Sequence, residues 1–313
     1  MKNNIQLLRL MNLPVFSDVD ELADLIHMRS ATLMNFVVLP DKFYRRYTIP
    51  KPSGGVREIR QPRKDLKGIQ AWILQNILNK LASSSYATAY IKKKNISNNV
   101  LPHRNNRYFV CIDLEDFFPS ISIRRVANIF SLIGYSNNAA FVLARLCTCH
   151  GHLPQGAVTS PSLSNLIAAK LDRRIAGYTS RRNITYTRYS DDITLSSNNR
   201  YTLYKSLPRI LNIIKSEHFK PNMSKMKVLG PRRKCLITGL VKNSSEAKFG
   251  IGRSKKRHMR AVMHHAVFGL PSDDKYTSVA SIQGWLSFLN SVDTESYKQM
   301  SKYWGKLIQR QST

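Results

Sequence analysis

The sequence predicts an α+β fold, and three observations point to that class. Short strand-like runs, such as residues 44–51 and 108–112, alternate with stretches whose apolar residues recur at helical spacing. From residue 259 onward the spacing is helical throughout. With 313 residues, 42% of them hydrophobic, the chain is long enough for several packed subdomains.

The strongest signal in the composition is an excess of basic residues. Lysine and arginine number 49 against 19 acidic residues, which gives a formal net charge of +30. Such a surplus predicts a polyanionic partner, because neutralised phosphates release counterions and favour binding. A membrane surface is the alternative, but the sequence has no long apolar run, signal peptide or basic amphipathic N-terminus. Nucleic acid is therefore the favoured partner, and no membrane association is expected.

The cysteine content favours a reducing, cytoplasmic environment over a disulfide framework, since the four cysteines are scattered along the chain. The run from Cys147 through Cys149 and His150 to His152 has zinc-binding residue types. No second ligand pair follows at zinc-finger spacing, so simple burial of the cysteines is the favoured interpretation. The pair His264-His265 is likewise assigned to a helix surface or a nucleic-acid contact.

The N-terminal part combines helices with a basic hairpin. Residues 1–40 carry helical periodicity, while 44–51 and 56–60 are predicted to be two strands joined by a turn at 52–55. The hairpin carries basic residues that suit either a triphosphate or solvent: Arg46, Lys51, Arg57 and Arg60. Apolar residues at helical spacing then predict an amphipathic helix over 65–82.

The run Tyr108–Ile112 has the composition of a buried strand and ends at Asp113. A carboxylate at the end of a central strand is costly unless a cation or a hydrogen-bond donor receives it. Asp113 is therefore a candidate metal ligand. Glu115 and Asp116 are expected to face away or to lie in the following loop.

A helical pair is predicted over 123–149, followed by a loop that contains Gln155 and Gly156. Ser160-Pro161 then opens another helix. The glycine allows a close backbone approach to a ligand, and the glutamine amide can bond the edge of a base or sugar.

Residues 186–196 form the second acidic motif, in which strand-like residues flank a Ser-Asp-Asp tip. Asp191 and Asp192 repel each other and lose solvation when the strand ends pack on a core. A cation with a preference for oxygen ligands, Mg²⁺ or Mn²⁺, offsets both costs. From this segment alone, a solvated turn is an equal alternative.

The C-terminal third is basic and mostly helical. After a helix predicted at 201–217, residues 220–260 contain 13 lysines or arginines against one acid, Glu246. Within that stretch, 235–241 is predicted to be a strand with a glycine kink that leads into a second hairpin through 243–245. Three amphipathic helices follow and are expected to pack as a bundle.

The order of these motifs is the layout of a polymerase palm. The chain resembles the reverse transcriptases and, among them, the bacterial retron type. The matching motifs are Ile112–Ser120, Leu153–Ala157 with Ser160-Pro161, Tyr189–Asp192, Asn222–Lys227 and Ile237–Gly239. Two matches are typical of retrons: residues 99–103 resemble an Asn-Ala-x-x-His element with Val100 for the alanine, and Ile237–Gly239 resembles a Val-Thr-Gly element.

The resemblance implies a right-hand polymerase fold whose palm is an antiparallel sheet with the aspartate hairpin. The implied order is an N-terminal helical extension, the fingers, a palm that includes finger helices, and a helical thumb with the RNA-binding region. The corresponding boundaries are 1–40, 41–105, 106–230 with finger helices at about 123–150, and 231–313. No RNase H or endonuclease domain is expected.

The chemistry implied by the resemblance is nucleotidyl transfer, in which a primer hydroxyl attacks the α-phosphorus of a dNTP and pyrophosphate leaves. Asp113, Asp191 and Asp192 would hold two Mg²⁺ ions, with Mn²⁺ as the alternative metal. Lys225 would protonate the pyrophosphate, and Lys227 is the alternative for that role.

The resemblance also implies residues that bind the nucleotide and the RNA. Phe118 would be the steric gate that excludes a ribose 2′-hydroxyl, with a plain core aromatic as the alternative. The other implied nucleotide-binding residues are Lys51, Arg57, Gln155 and Gly156. The implied RNA contacts are Asn99, His103, Thr238, Gly239, Arg253, Lys255, Lys256 and Arg257, recognising shape and phosphates.

The implied biology is the copying of the enzyme's own structured non-coding RNA into a short RNA-linked DNA, primed from a 2′-hydroxyl. Removal of the template would require a host RNase H. A separate effector or toxin protein and a role in anti-phage defence are also implied, while the sequence contains no signal for the oligomeric state. The alternatives are an abortive-infection or group II intron-like reverse transcriptase, or a non-catalytic RNA-binding protein on a polymerase scaffold.

Overall fold

The computed structural model describes residues 4–51, 54–242, 248–269 and 278–311. The chain begins with three short helices, α1 (Ile5–Leu10), α2 (Val19–Leu25) and α3 (Ser30–Val38). Asn4 and Asp18 accept hydrogen bonds from backbone N–H groups at the starts of α1 and α2. These side chains satisfy donors that have no partner within the helix.

A two-stranded hairpin follows, as the sequence predicted. Strand β1 (Tyr44–Pro50) pairs antiparallel with β2 (Val56–Pro62), and part of the predicted turn, residues 52–53, lies outside the described residues. Helix α4 (Lys64–Asn76) buries its apolar face but ends before the predicted residue 82. A single 3₁₀ turn, Leu78–Lys80, continues the chain.

Four strands form the central sheet. Helix α5 (Ile96–Val100) leads to β3 (Tyr108–Glu115), and after intervening helices the chain adds β4 (Thr185–Tyr189), β5 (Asp192–Ser197) and β6 (Lys220–Leu229). The strand order is β4-β5-β3-β6, and neighbouring strands are antiparallel. Helices α8 (Ser160–Ser180) and α9 (Arg200–Ser216) pack on this sheet, and α6 (Ile123–Leu132) packs against α8 and α7 (Asn137–Cys147).

The described residues from 236 to 311 form a unit that we call the C-terminal module. It contains β7 (Leu236–Ile237), β8 (Leu240–Lys242), β9 (Phe249–Gly250), α10 (Gly252–Phe268), α11 (Val279–Val292) and α12 (Thr294–Gln311). The three predicted helices are confirmed.

The prediction of one kinked strand over 235–241 is wrong. Thr238 and Gly239 both have positive φ angles, 44° and 84°, and form a tight turn that joins two separate strands. The second predicted hairpin has its turn outside the described residues, although β8 and β9 do pair antiparallel.

Strand β3 lies between two hydrophobic cores. Val110 and Ile112 belong to the larger core, which the helices cover, whereas Phe109 packs with the C-terminal module. This alternation follows from the two-residue period of a strand. β3 therefore carries Asp113 on a segment buried on both faces. Among the described helices, none is both long and apolar enough to span a membrane.

Candidate active site

Two acidic motifs meet at the end of the central sheet. In the register of β3 and β5, Asp113 is the antiparallel partner of Asp192, and paired Cα atoms in such sheets lie about 4.5–5.5 Å apart. The N–H of Leu114 also donates to the carbonyl oxygen of Asp191 at 3.0 Å. The strand pairing thus brings together acids that are almost 80 residues apart in the chain.

A buried ion pair supports the turn that carries Asp191 and Asp192. Arg188 and Asp172 are both fully buried. The Arg188 guanidinium donates two hydrogen bonds of 2.8 Å to the two carboxylate oxygens of Asp172. It donates a third, of 3.0 Å, to the carbonyl oxygen of Ser190.

Ser190 needs that support because its φ angle of 59° lies in the left-handed region, which non-glycine residues rarely adopt. Tyr186 and Asn165 complete the network. The Tyr186 hydroxyl donates to Asp172 at 2.7 Å, and the Asn165 side-chain oxygen accepts from Arg188 at 3.1 Å. Sequence reasoning missed this network, because no motif pairs the polar residues of α8 with those of the hairpin that follows it.

The electrostatics of the acids favour a cation. The pKa of Asp191 is raised, first by burial and further by the charge of Asp113. Asp192 is exposed as a residue, yet desolvation of its carboxyl and the charges of Asp191 and Asp113 raise its pKa to about 6. Oxygen donors whose ionised forms repel one another fit Mg²⁺ or another hard divalent ion.

The three acids are close neighbours without converging on one point. Their carboxylate oxygens do not all approach within 4.8 Å of one another. In enzymes with two metal ions, carboxylates shared between the ions help to clamp the attacking and leaving oxygens of a displacement.

The predicted nucleotide-binding side chains share one cleft with two of the acids. The cleft is lined by Lys51, Arg57, Asp113, Phe118, Gln155, Asp191, Asn222 and Lys225, among others. Arg57 is near enough to lower the pKa of Asp191, although burial outweighs that effect. The cleft thus places carboxylates and basic side chains side by side.

Lys225, rather than Lys227, faces this cleft. Lys225 Nζ lies 3.4 Å from Asp113 Oδ2, whereas Lys227 is the β6 partner of Cys111 and does not line the cleft. Asn222, which the sequence analysis placed in a motif without giving it a role, donates to Asp113 Oδ2 at 3.3 Å. Its side-chain oxygen accepts from the Lys225 N–H, so Asn222 orients both groups.

Of the predicted nucleotide-binding residues Phe118 and Gly156, only Phe118 lines the cleft. Phe118 is half-buried in the cleft, with its ring centroid 6.3 Å from that of Tyr90. Gly156 is not among the cleft-lining residues. A Cβ at Gly156 would lie 2.8 Å from Ile59 Cγ2 and 3.1 Å from the Arg60 carbonyl oxygen. The glycine was predicted to allow a close approach to a ligand, whereas the close contact in the structure is with strand β2.

Comparison with known proteins identifies the family. Residues 49–249 match the family described as reverse transcriptase (RNA-dependent DNA polymerase). The chain is 39% identical over 302 residues to the retron Ec86 reverse transcriptase of Escherichia coli, covering 96% of this chain and 92% of that protein. The chain belongs to the retron reverse transcriptases. It is also 29% identical to the retron Mx65 reverse transcriptase of Myxococcus xanthus, with coverages of 93% and 72%.

A solved structure extends the likeness to the fold. The telomerase of Candida albicans, determined with a fragment of telomeric RNA, matches with a TM-score of 0.50 and 10% sequence identity. The match covers 84% of this chain and 54% of that one. At this identity it supports the reverse transcriptase fold alone. The retron family membership makes this chain an RNA-directed DNA polymerase, a family that uses divalent metal ions.

In this retron reverse transcriptase, the predicted RNA contacts of Asn99 and His103 are wrong, because both side chains are fully buried. The two ring nitrogens of His103 bond Ser196 at 2.6 Å and Thr187 at 2.9 Å. Burial and the nearby Lys242 lower the pKa of His103 to about 3, so the ring is neutral. His103 therefore connects its loop to strands β4 and β5.

Asn99 joins three parts of the molecule. Its side-chain oxygen accepts from the Thr88 hydroxyl at 3.1 Å, and its amide donates to the Thr238 hydroxyl at 3.3 Å. The retron-type elements at 99–103 and 237–239 thus contact each other inside the protein. Thr238 is half-buried by this contact, whereas Gly239 is exposed.

The predicted RNA contacts on α10 lie near its N-terminus and are exposed or half-buried: Arg253, Lys255, Lys256 and Arg257. Cations are unfavourable there, because the helix dipole places partial positive charge at that end. An anionic ligand compensates such an arrangement. Lys255 Nζ lies 3.3 Å from the carbonyl oxygen of Gly239, which joins the exposed turn to this basic surface.

The residues of the cysteine–histidine run, 147–152, lie in three different environments. Cys147 is fully buried in the larger core, as predicted, and exposed His152 lines a surface cavity. Cys149 and His150 approach Asp41, a residue that sequence spacing could not connect with them. His264 packs its ring 4.6 Å from Phe268 on α10.

Proposed function

We propose that this retron reverse transcriptase copies part of its own structured non-coding RNA into single-stranded DNA that stays linked to the RNA. Synthesis would start from an RNA 2′-hydroxyl and yield msDNA. The observation that supports this proposal is one cleft that holds Asp113, Asp191, Arg57 and Lys225 on a chain of net charge +30. The cleft suits nucleotidyl transfer, and the charge suits a long polyanionic template.

Mg²⁺ is the proposed metal, with Mn²⁺ as the alternative. Asp113, Asp191 and Asp192 would hold the ions, which supply charge neutralisation for the triphosphate and activation of the primer hydroxyl. The raised pKa values of Asp191 and Asp192 support this assignment, since a bound cation favours their ionised forms.

The remaining cleft residues would position the nucleotide. Arg57 and Lys51 would bind the triphosphate, and Gln155 would order the base or sugar. Phe118 would exclude a ribose 2′-hydroxyl, because its half-buried ring leaves little room for an added oxygen. Lys225 would donate a proton to the leaving pyrophosphate.

The subdomains would follow the right-hand plan. The fingers would be residues 41–105, the palm 106–230 with finger helices at 123–150, and the thumb 231–313, after an N-terminal extension at 1–40. The thumb would bind RNA through an exposed surface made of Gly239, Arg253, Lys255, Lys256 and Arg257, with Thr238 beside it.

Priming from a 2′-hydroxyl is tested with the RNA transcribed from DNA next to the gene. The purified enzyme is given that RNA, dNTPs and Mg²⁺, after periodate oxidation has blocked the 3′ terminus. We expect DNA that remains attached to RNA and that a 2′,5′-debranching enzyme releases. A matched RNA carrying a 2′-O-methyl group at the mapped branch nucleotide should give no product. Products only from unoxidised 3′ ends would contradict the proposal.

Anti-phage defence, in the cytoplasm and through a separate effector protein, is the proposed biological role. We expect cells that carry the whole locus to reduce phage plating by at least about tenfold, and cells with Asp191→Asn to lose that protection. Deletion of the neighbouring effector gene should have the same effect while DNA synthesis continues. Equal plating on wild-type and Asp191→Asn cells would contradict this role.

A further inference from the structure

Asp41, Cys149 and His150 form a cluster of metal-ligand types that the polymerase reaction does not use. One donor atom of each residue lies within 4.8 Å of the others, and within the described ranges no other trio of such residues meets that limit. Asp41 belongs to the 3₁₀ turn Pro40–Phe43 ahead of β1, while Cys149 and His150 follow α7. Two segments about 109 residues apart therefore converge here.

Both oxygens of the Asp41 carboxylate face His150. Asp41 Oδ1 accepts a hydrogen bond of 2.6 Å from the backbone N–H of His150, and Asp41 Oδ2 lies 3.2 Å from His150 Nδ1. In a tetrahedral zinc site with bonds of about 2.0–2.1 Å, two such ligand atoms are separated by about 3.3 Å. The observed separation therefore matches one edge of a zinc tetrahedron.

The charges around the cluster also balance with a divalent ion present. A Cys149 thiolate and the Asp41 carboxylate neutralise one divalent cation. Without an ion, burial and the neighbouring Asp41 carboxylate raise the pKa of the Cys149 thiol, and Arg60, which donates to Cys149 Sγ at 3.5 Å, only partly offsets that rise. A bound divalent cation would favour the thiolate. The Arg60 charge is in turn balanced by Glu58, whose carboxylate accepts a 2.6 Å hydrogen bond from Arg60 Nε.

We propose that Asp41, Cys149 and His150 bind one Zn²⁺ ion, with water in the fourth position. Sulfur, imidazole and carboxylate donors select zinc over Mg²⁺, which takes oxygen ligands. Cys149 is 4% exposed, whereas His150 and Asp41 are accessible, so the ion would sit on a half-open face. Such an ion would tie the segment before β1 to the loop that leads to Gln155.

Cobalt substitution tests the site independently of polymerase activity. The full chain is stripped with a chelator and titrated with Co²⁺ in excess Mg²⁺, and the thiolate-to-cobalt charge-transfer absorption is recorded. This band reports sulfur ligation alone, so ions at the active-site carboxylates are silent. We expect one equivalent per chain, displaced by one equivalent of Zn²⁺.

Three variants and two controls decide the outcome. Cys149→Ser should abolish the band, and Asp41→Asn and His150→Gln should weaken Co²⁺ binding at least about tenfold. Those two changes are at accessible side chains and leave the thiol in place, so they test the site even if Cys149→Ser does not fold. Cys235→Ser and His264→Gln should bind as the wild type does. Absence of the band in the wild type, or unchanged binding in both accessible variants, would overturn the proposal.

Discussion

The surroundings of Asp192 disfavour the ionised form of its carboxyl group. Its carboxyl is desolvated beside Asp191 and Asp113, which raises its pKa to about 6, while Lys227 and Lys225 partly offset the rise. Only the ionised carboxylate binds a cation. Lowering the pH through about 6 therefore protonates Asp192 and removes one of the proposed metal ligands.

We therefore expect the rate of primer extension at low Mg²⁺ concentration to fall about tenfold per pH unit below pH 6. Bound Mg²⁺ favours the ionised form, so higher Mg²⁺ concentrations should move this acid limb to lower pH. Lys227→Met should move it to higher pH, because a cation that lowers the Asp192 pKa is lost. If neither the Mg²⁺ concentration nor Lys227→Met moved the acid limb of the pH–rate profile, another group would control the rate.

Phe118 is the residue expected to set sugar selectivity. Phe118→Ala should lower the preference for dNTPs over NTPs by about 10–100-fold, measured as the ratio of kcat/KM values, because the space for a 2′-hydroxyl opens. Phe117→Leu is the matched control for lost aromatic packing, since Phe117 is buried in the larger core and packs its ring against that of Phe118. Unchanged selectivity in Phe118→Ala would leave Phe118 as a core aromatic.

At the scale of elements, the β4–β5 hairpin depends on the ion pair beneath it. Arg188→Met alone leaves the buried Asp172 carboxylate without its partner and should destabilise the protein by about 3–5 kcal/mol in urea unfolding. The double variant Arg188→Met with Asp172→Leu removes both charges and should recover most of that stability.

The double variant separates stability from positioning. It lacks the hydrogen bond to the Ser190 carbonyl, so the turn with Asp191 and Asp192 is less well held. We expect its kcat for primer extension to stay about 10–100-fold below the wild type, despite recovered folding. Full activity in a stable double variant would mean that Arg188 serves folding alone.

Most helices and strands could be predicted from the sequence, because the patterns that indicate them lie within short stretches of the chain. The β1–β2 hairpin, the acidic hairpin and the C-terminal helices follow from alternation, helical spacing and turn residues in neighbouring positions. Strand β6 was missed, because alternating lysines and polar residues obscure an edge strand whose pairing with β3 is long-range. His103 was assigned to RNA for a related reason: a histidine in a polar loop gives no sign of the buried hydroxyls that it contacts.

At the scale of the whole molecule, α5 connects the central sheet to the C-terminal module. Asn95 donates to the carbonyl oxygen of Ser291 at 2.8 Å, and Ser97 donates to that of Val292 at 3.5 Å. Asn99 adds the bond to Thr238. These links connect the C-terminal module, which carries the basic surface of α10, to the helix that leads into β3.

Asn99→Ala should loosen this connection, since the half-buried Thr238 hydroxyl loses its bond to Asn99 and the buried Thr88 hydroxyl keeps only its bond to the Arg188 carbonyl oxygen. We expect a loss of about 1–3 kcal/mol in unfolding free energy and faster hydrogen exchange at residues 236–242. Asn98→Ala is the control on the same helix, because its exposed side chain bonds only the N-terminal backbone of α5. Equal exchange in wild type and Asn99→Ala would mean that the module is held by apolar packing alone.

The central claim is that Asp113 and Asp191, brought together by strand pairing, catalyse metal-dependent DNA synthesis on RNA. The most direct measurement is incorporation of radiolabelled dNTPs on a primed RNA template with Mg²⁺, comparing the wild type with Asp191→Asn. We predict extension by the wild type, none after chelation of the metal, and a loss of at least about 100-fold in Asp191→Asn with its circular dichroism unchanged. Extension by Asp191→Asn at the wild-type rate would contradict the account.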